Sequence, residues 1–337
     1  MHHIRVQRQP RQEREQDLRL RAGPYPGAYV LAPLIDWSDP PRELAGFIGQ
    51  FLAAGAIGFR FFALRSASTE SDRAFYDDAT RRAAIIGLIG VALSGLLMMM
   101  QLPALAERRH LAVGALISSD VSTTLQVIFL ILEVIGFVFA IARLGPGWPL
   151  AAYSLVFGSL RAAFIGKWAS VVNPVHELAA GFWIGTLLVL VVAGLTSLFQ
   201  HESARDRRGV IAADMVNGFS PLALTMGGVV VIFGVITAWR HLHVLANLWS
   251  TPYGYALIAK LCVVAFVFSL GAWNWRRQRP TLGSEAAAAS IRRSATAELT
   301  VAAIVLVVTA ILVSLPSPRP PGTTTRPPAA STGTAAH

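Results

Sequence analysis

Imidazole nitrogen, thioether sulfur and carboxylate oxygen recur at a few places in this sequence where apolar runs begin, end or are interrupted. His176 and Glu177 open a run that continues to Phe199, and Arg240-His241-Leu242-His243 closes another. Met98-Met99-Met100-Gln101 lies at the end of a third, shortly before His110. Imidazole and thioether together suit copper, soft sulfur favouring the cuprous ion and nitrogen accepting either oxidation state. The candidate metal ligands are therefore His176, His241, His243, Met98 and Met100. Taken singly, each has a plainer reading: a loop histidine as a solvated polar group, and adjacent methionines, which point in different directions on a helix, as lipid-facing or core fillers.

His176 is the strongest of these candidates, because its neighbours in sequence define a surface. Residues seven apart return to nearly the same helical face, so His176 and Trp183 share a stripe about two turns long. Trp183 reads as an aromatic belt residue, and Gly181 with Gly185 forms a small-xxx-small step that admits a second helix closely. Three further charges lie inside apolar runs, where each needs an account. Glu133 is midway along one run, Arg161 deep in another, and Lys260 about two turns into a third. Glu133 reads equally as a cation or proton relay and as half of an ion pair with Arg161 or Lys260. Arg161 and Lys260 read as structural, and a lysine so near a helix end can snorkel.

The elements that must position these groups are membrane helices. Of 337 residues, 54% are hydrophobic and 14% charged, against roughly 25% charged in soluble domains. About eight runs approach the ~20 apolar residues that a bilayer core requires: 44–64, 83–105, 124–143, 148–166, 174–199, 218–240, 253–275 and 297–315. The expected fold is an all-α polytopic bundle of about eight spans over 44–316. A polar Arg-rich tail, 1–43, precedes it, and a Pro- and Thr-rich tail, 317–337, follows it with no means of forming a core. The tail 1–43 has no apolar stretch of the kind a cleavable signal peptide carries. The net charge of +10 comes from arginines in tails and connections, where they act as topology signals rather than as a nucleic-acid face. The one cysteine, Cys262, allows no intrachain disulfide and reads as a small core residue.

Arginine and lysine concentrate in the first, third, fifth and seventh connections, which assigns those to the cytoplasm and both termini to the outside. That orientation gathers His176, Glu177, His241, His243 and the methionines at the outer surface of the membrane.

The stretch Phe219-Ser220-Pro221-Leu222-Ala223-Leu224, then Gly234, Ala238-Trp239, Thr251-Pro252-Tyr253-Gly254, Leu257-Ile258-Ala259-Lys260-Leu261, Asn274 and Arg276-Arg277, resembles the copper resistance D (CopD) membrane family. The segment from His176 to Gly185 is similar to that family's His-containing helix with its Trp-x-Gly ending. The resemblance covers about 170–315, its most specific part being the Thr251 to Gly254 turn ahead of Lys260. It implies an inner-membrane protein that moves copper toward the cytoplasm, often from a small periplasmic copper-binding chaperone, with His176, Trp183, the Thr251 to Gly254 turn and Lys260 matching position by position. Pro252 and Gly254 punctuate the loop and Tyr253 anchors at the interface. One departure stands out: a Gly-His pair is expected near the end of the fourth helix, and this chain has Gly166-Lys167. A lysine cation cannot replace a histidine ligand.

Three functions compete on these grounds. The first is copper binding at the outer face and passage across the membrane, His176 being the first ligand and Glu133 a deeper relay. The second is electron transfer by a b-type haem, for which His176 and His241 are the axial pair, and such a pair needs matching depth. The third is a non-transporting scaffold for copper-enzyme assembly. No Walker-type glycine loop is present, and no Ser, His and acid grouping suggests hydrolysis, so an enzyme is not expected. The partners expected are lipid and a copper chaperone, with oligomeric state open.

Overall fold

The computed structural model describes residues 39–64, 72–242, 244–278 and most of 300–314. The two tails, apart from 39–43, and the candidate ligand His243 lie outside the described residues. Those described form an all-α, polytopic arrangement with no strand. In chain order the helices are α1 Asp39–Ala63, α2 Arg73–Arg108, α3 Val113–Ser119, α4 Val121–Ile141, α5 Gly147–Ser159, α6 Arg161–Phe164, α7 Trp168–Gln200, α8 Arg208–Leu242 and α9 Pro252–Gln278. Among them α1, α2, α4, α7 and α8 are long and apolar enough to cross a membrane, and α9 holds a shorter apolar portion, Pro252–Phe266.

Among the described residues five helices meet this length where about eight spans are expected, and the fourth run falls short for a local reason. The fourth run breaks at Leu160 into α5 and α6, and the 13 residues of α5 rise only about 20 Å, short of a ~30 Å core. Arg161 stabilises the break by donating from Nη1 to the carbonyl of Gly158 at 3.0 Å, which satisfies an end-of-helix acceptor. The eighth run is described only in part, over 300–314.

Glycine sets how closely the spans approach. A Cβ on Gly55 of α1 would fall inside the backbone of Gly185 of α7, and one on Gly185 would strike the carbonyl of Phe51. Gly181 sits one turn away against Ala54, so the small-residue step on α7 is seated on α1. One π-helical turn of α7, Gly181–Gly185, carries this contact, and a second, Leu190–Leu195, follows it. The shared core has Phe59, Phe75 and Phe137 fully buried at its centre.

Polar contacts collect at the two ends of the bundle. At one end, Asp72 pairs with Arg207, Asp78 with Arg82 at 2.9 Å, and Asp77 with Arg143 at 3.1 Å. There Arg208 donates to the carbonyls of Leu198 and Phe199, capping the carboxyl end of α7 with a cation where the helix dipole favours one. At the other end, Arg109 pairs with Asp120 at 3.3 Å, and Arg240 donates to the carbonyl of Ala169 at 2.5 Å.

Candidate metal site

The motif Thr251-Pro252-Tyr253-Gly254 is a helix start built to fit its loop. Thr251 is the N-cap of α9, its Oγ1 accepting from Gly254 N–H at 3.0 Å while donating to Asn247 C=O at 2.6 Å. Pro252 follows at the first helical position, where a missing N–H costs nothing. Gly254 has no room for a Cβ, which would strike the carbonyls of Asn247 and Leu248. Tyr253 is buried and stacks on His241, the ring centroids 5.9 Å apart and the planes at 16°. The turn thus fixes the depth of Lys260, two turns further along α9.

His176 lies inside the bundle rather than at a helix mouth. Sequence alone starts this span at Pro174, but the helical rod begins at Trp168, which puts His176 eight residues in. The same shift moves Trp183 to the middle of α7, packed on Phe268 of α9 at 4.6 Å between ring centroids, so it is not a belt residue. The rings of His176 and Phe268 meet glycines on α8. A Cβ on Gly234 would lie 3.0 Å from His176 Cε1, and one on Gly227 would lie 3.2 Å from Phe268 Cε1. Gly227 and Gly234, seven apart, are two notches on one face of α8.

The ring of His176 is held across the helix interface. Its Nδ1 lies 2.9 Å from the carbonyl oxygen of Val230, an acceptor only, so Nδ1 carries the hydrogen and Nε2 keeps its lone pair. This is the outer-sphere bond that metal-binding histidines commonly make. One turn back along α7 and two turns on along α8, Thr237 Oγ1 donates to Asn173 Oδ1 at 2.9 Å, a second polar bond across the α7–α8 contact. Glu177 and His176 both lie within electrostatic range of the Lys260 ammonium, and Glu177 also interacts with Glu43 of α1. Four helices thus contribute: α1 through Glu43, α7 through His176 and Glu177, α8 through Val230 and Gly234, and α9 through Lys260.

The other expected ligands are not brought to this point. His241 lies seven residues beyond Gly234, roughly 10 Å along α8, and its Nδ1 bonds back to Thr237 C=O at 2.8 Å. His201 makes the same local bond to Ser197 C=O, so that contact marks no special role. The axial pair that a haem needs, His176 with His241, therefore does not face at one depth. Met99 and Met100 are each 68% exposed on α2. Met98 turns inward to a different place, a cavity of about 170 Å³ whose lining includes Glu133, Gln126 and Arg161. Among the described residues no group of three or more His, Cys, Asp or Glu converges as a ligand set. Lys167 is exposed in the turn after α6, and Cys262, expected in the core, is exposed on α9.

Neither ion pair considered for Glu133 forms. Arg161 donates instead to Gln126 Oε1 at 2.9 Å, and Lys260 interacts with Glu177. Gln126 and Glu43 went unnoticed in the sequence, and Gln126, seven residues before Glu133, was the detectable one: both lie on one face of an otherwise apolar helix.

Residues 213–312 match the family described as Copper resistance protein D, a stretch taking in most of α8 and all of α9. The Copper transport protein CutJ of Bacillus subtilis (strain 168) is 31% identical over 187 residues, covering 52% of this chain and 32% of that protein. The chain thus spans about a third of the length of this curated relative. No solved structure matches it.

Proposed function

We propose that this multi-pass membrane protein, by its residues 213–312 a member of the copper resistance protein D family, binds copper at the outer face of the inner membrane and passes it inward. His176 is the ligand inside the bundle, through Nε2. The observation that carries this reading is the bond from His176 Nδ1 to Val230 C=O, which leaves the other nitrogen free and fixes the plane of the ring. Formal charge supports a monovalent cargo. Glu43 and Glu177 against Lys260 leave one net negative charge around His176, which a single cuprous ion neutralises. His241, stacked on Tyr253 nearer the helix ends, is an earlier contact on the way in and receives copper from a periplasmic chaperone, a role His243 shares by its place in the sequence.

The orientation that suits this role places the Asp72–Arg207 end in the cytoplasm, as the arginine distribution favours, and the Arg240 end outside. A carrier role, not an enzymatic one, fits a site made of donors with no activated nucleophile. Copper content and copper accumulation in cells expressing wild type and His176→Ala at equal protein level test the assignment. Loss of bound copper and of accumulation in the variant is expected, and unchanged values would remove His176 from the mechanism. Reduced-minus-oxidised optical spectra of the purified protein should carry no haem bands.

A further inference from the structure

Outside the family-matched residues, α1, α2, α4 and the broken α5–α6 segment enclose a second polar place with its own logic. The ~170 Å³ cavity lies between α1, α2, α4 and α5–α6, and at that size a polar cavity holds several waters. Its depth profile follows from the packing register. Gly87 meets Phe137 and Gly95 meets Leu130 between α2 and α4, so Met98 stands level with Gln126. Gly136 meets Ala151 and Gly158 meets Phe129 between α4 and α5, so Ser154 stands level with Glu133. Arg161, Gln126 and Met98 therefore form the end nearer Asp120. Glu133 and Ser154 lie roughly 10 Å deeper, with Ser94 and, level with it through the Gly49 contact, Gln50 between the two levels.

Glu133 is 7% exposed, and its Oε1 has no hydrogen-bond partner. A buried carboxyl oxygen without a partner is costly in hydrocarbon. The charged group lining the cavity with it is Arg161, whose own bonds go to Gln126 and Gly158. The α1 and α2 faces contribute Gly46, Gln50, Ala53, Ser94 and Met98, none of which titrates. One hard oxygen donor, with the sulfur of Met98 two turns away and no imidazole, does not suit a cuprous ion. It suits a proton carried by water.

We propose that Glu133 is a proton-binding residue at the closed end of a water-filled inlet entering from the Arg161 end, separate from the His176 site. In the single step, water in the inlet delivers a proton to the carboxylate oxygen and the carboxyl later returns it by the same route, with no other bond made or broken. The proposal goes beyond the copper reading and stands without it.

Two measurements on the full-length chain test it. In a Cys262→Ser background, Ser94→Cys and Gln50→Cys should both react with a small water-soluble thiol reagent. Labelling should come from the side to which Arg161 opens, by comparing intact cells with inverted vesicles. Leu96→Cys, on the lipid face of the same helix, should stay unlabelled. Protection of both inlet positions from both sides would overturn the inlet. Infrared difference spectra between acid and alkaline pH should contain a carboxyl band in wild type and in His176→Ala that disappears in Glu133→Gln. A spectrum unchanged by Glu133→Gln would overturn the proton site, whatever His176→Ala does to copper.

Discussion

His176 and Val230, 54 residues apart in sequence, are joined by a 2.9 Å bond from imidazole Nδ1 to carbonyl oxygen across the α7–α8 interface. The bond exists because Gly234, one turn further along α8, leaves a notch for the ring: a side chain there would stand 3.0 Å from Cε1. Helix packing, rather than a loop, orients the one imidazole bonded across two spans among the described residues.

The notch can be filled. Gly234→Leu should push the ring off Val230 at a cost of about 1–3 kcal/mol in stability and lower bound copper as far as His176→Ala does. Gly228→Ala is the control, since a Cβ at Gly228 meets nothing within 4 Å. It should leave copper content unchanged and gain about 0.5–1 kcal/mol. Metal analysis and thermal denaturation of the purified variants read both effects, and equal copper in Gly234→Leu and wild type would separate the notch from binding.

A second pair of glycines carries the fold rather than the site. Gly55 and Gly185 touch backbone to backbone, and no side chain larger than hydrogen fits between them. Gly55→Leu should cost more than about 3 kcal/mol, beyond ordinary overpacking, because backbone cannot step aside as a side chain does. The expected outcome is loss of folded protein in detergent by size-exclusion chromatography. Gly46→Ala, in open space on the same helix, should elute as wild type.

Much of this was legible in the sequence. Long apolar runs and the spacing of Gly181 and Gly185 depend only on local composition, and they located the helices and their close-packed step. The starts were misplaced where polar residues continue a helix: Trp168–Asn173 is mixed in character, so the span appeared to begin at Pro174 and His176 appeared to lie at its mouth. The partners of the buried charges were not legible, because they depend on register. Glu133 and Arg161 look paired on apolarity alone, whereas helical phase sets Arg161 beside Gln126, two turns away. Nor could sequence tell that Met98 turns inward while Met100 faces out, since three adjacent positions span most of a helix circumference.

Orientation has a direct test. In the Cys262→Ser background, a cysteine at Leu245, 62% exposed between α8 and α9, should react in intact cells with a reagent that cannot cross the membrane. One at Arg205, between α7 and α8, should react only after the membrane is opened. The reverse pattern would put the His241 end in the cytoplasm.

Asp120 makes one helix start sensitive to pH. Its carboxylate accepts from the hydroxyl of Thr123 at 2.6 Å and from the Thr123 backbone N–H at 3.0 Å. These bonds, with Arg109 adding its charge, hold the Asp120 carboxyl below its usual range. A lowered value means stability that is present above the unfolded value, about 3.9, and is lost as pH falls through the folded one. Asp120→Ala should cost about 1 kcal/mol at neutral pH, a difference that shrinks below about pH 4, where wild type loses the same bonds. Melting temperatures of both proteins at the two pH values measure it.

The charges around His176 predict opposite effects from two neutralising substitutions. Lys260 repels a cation at His176, while Glu177, the next residue along α7 and the partner of Lys260, offsets that charge. Lys260→Met keeps the length of the side chain and removes the repulsion, so cuprous affinity should rise, by on the order of tenfold for about 1.4 kcal/mol of relieved repulsion. Glu177→Gln keeps the shape and removes the attraction, so affinity should fall by a similar factor. In the double variant the changes should largely cancel, because formal charge at the site returns to that of wild type. Competition titrations with a cuprous chelator distinguish this from a packing effect, since packing damage would lower affinity in both single variants and lower it further in the double.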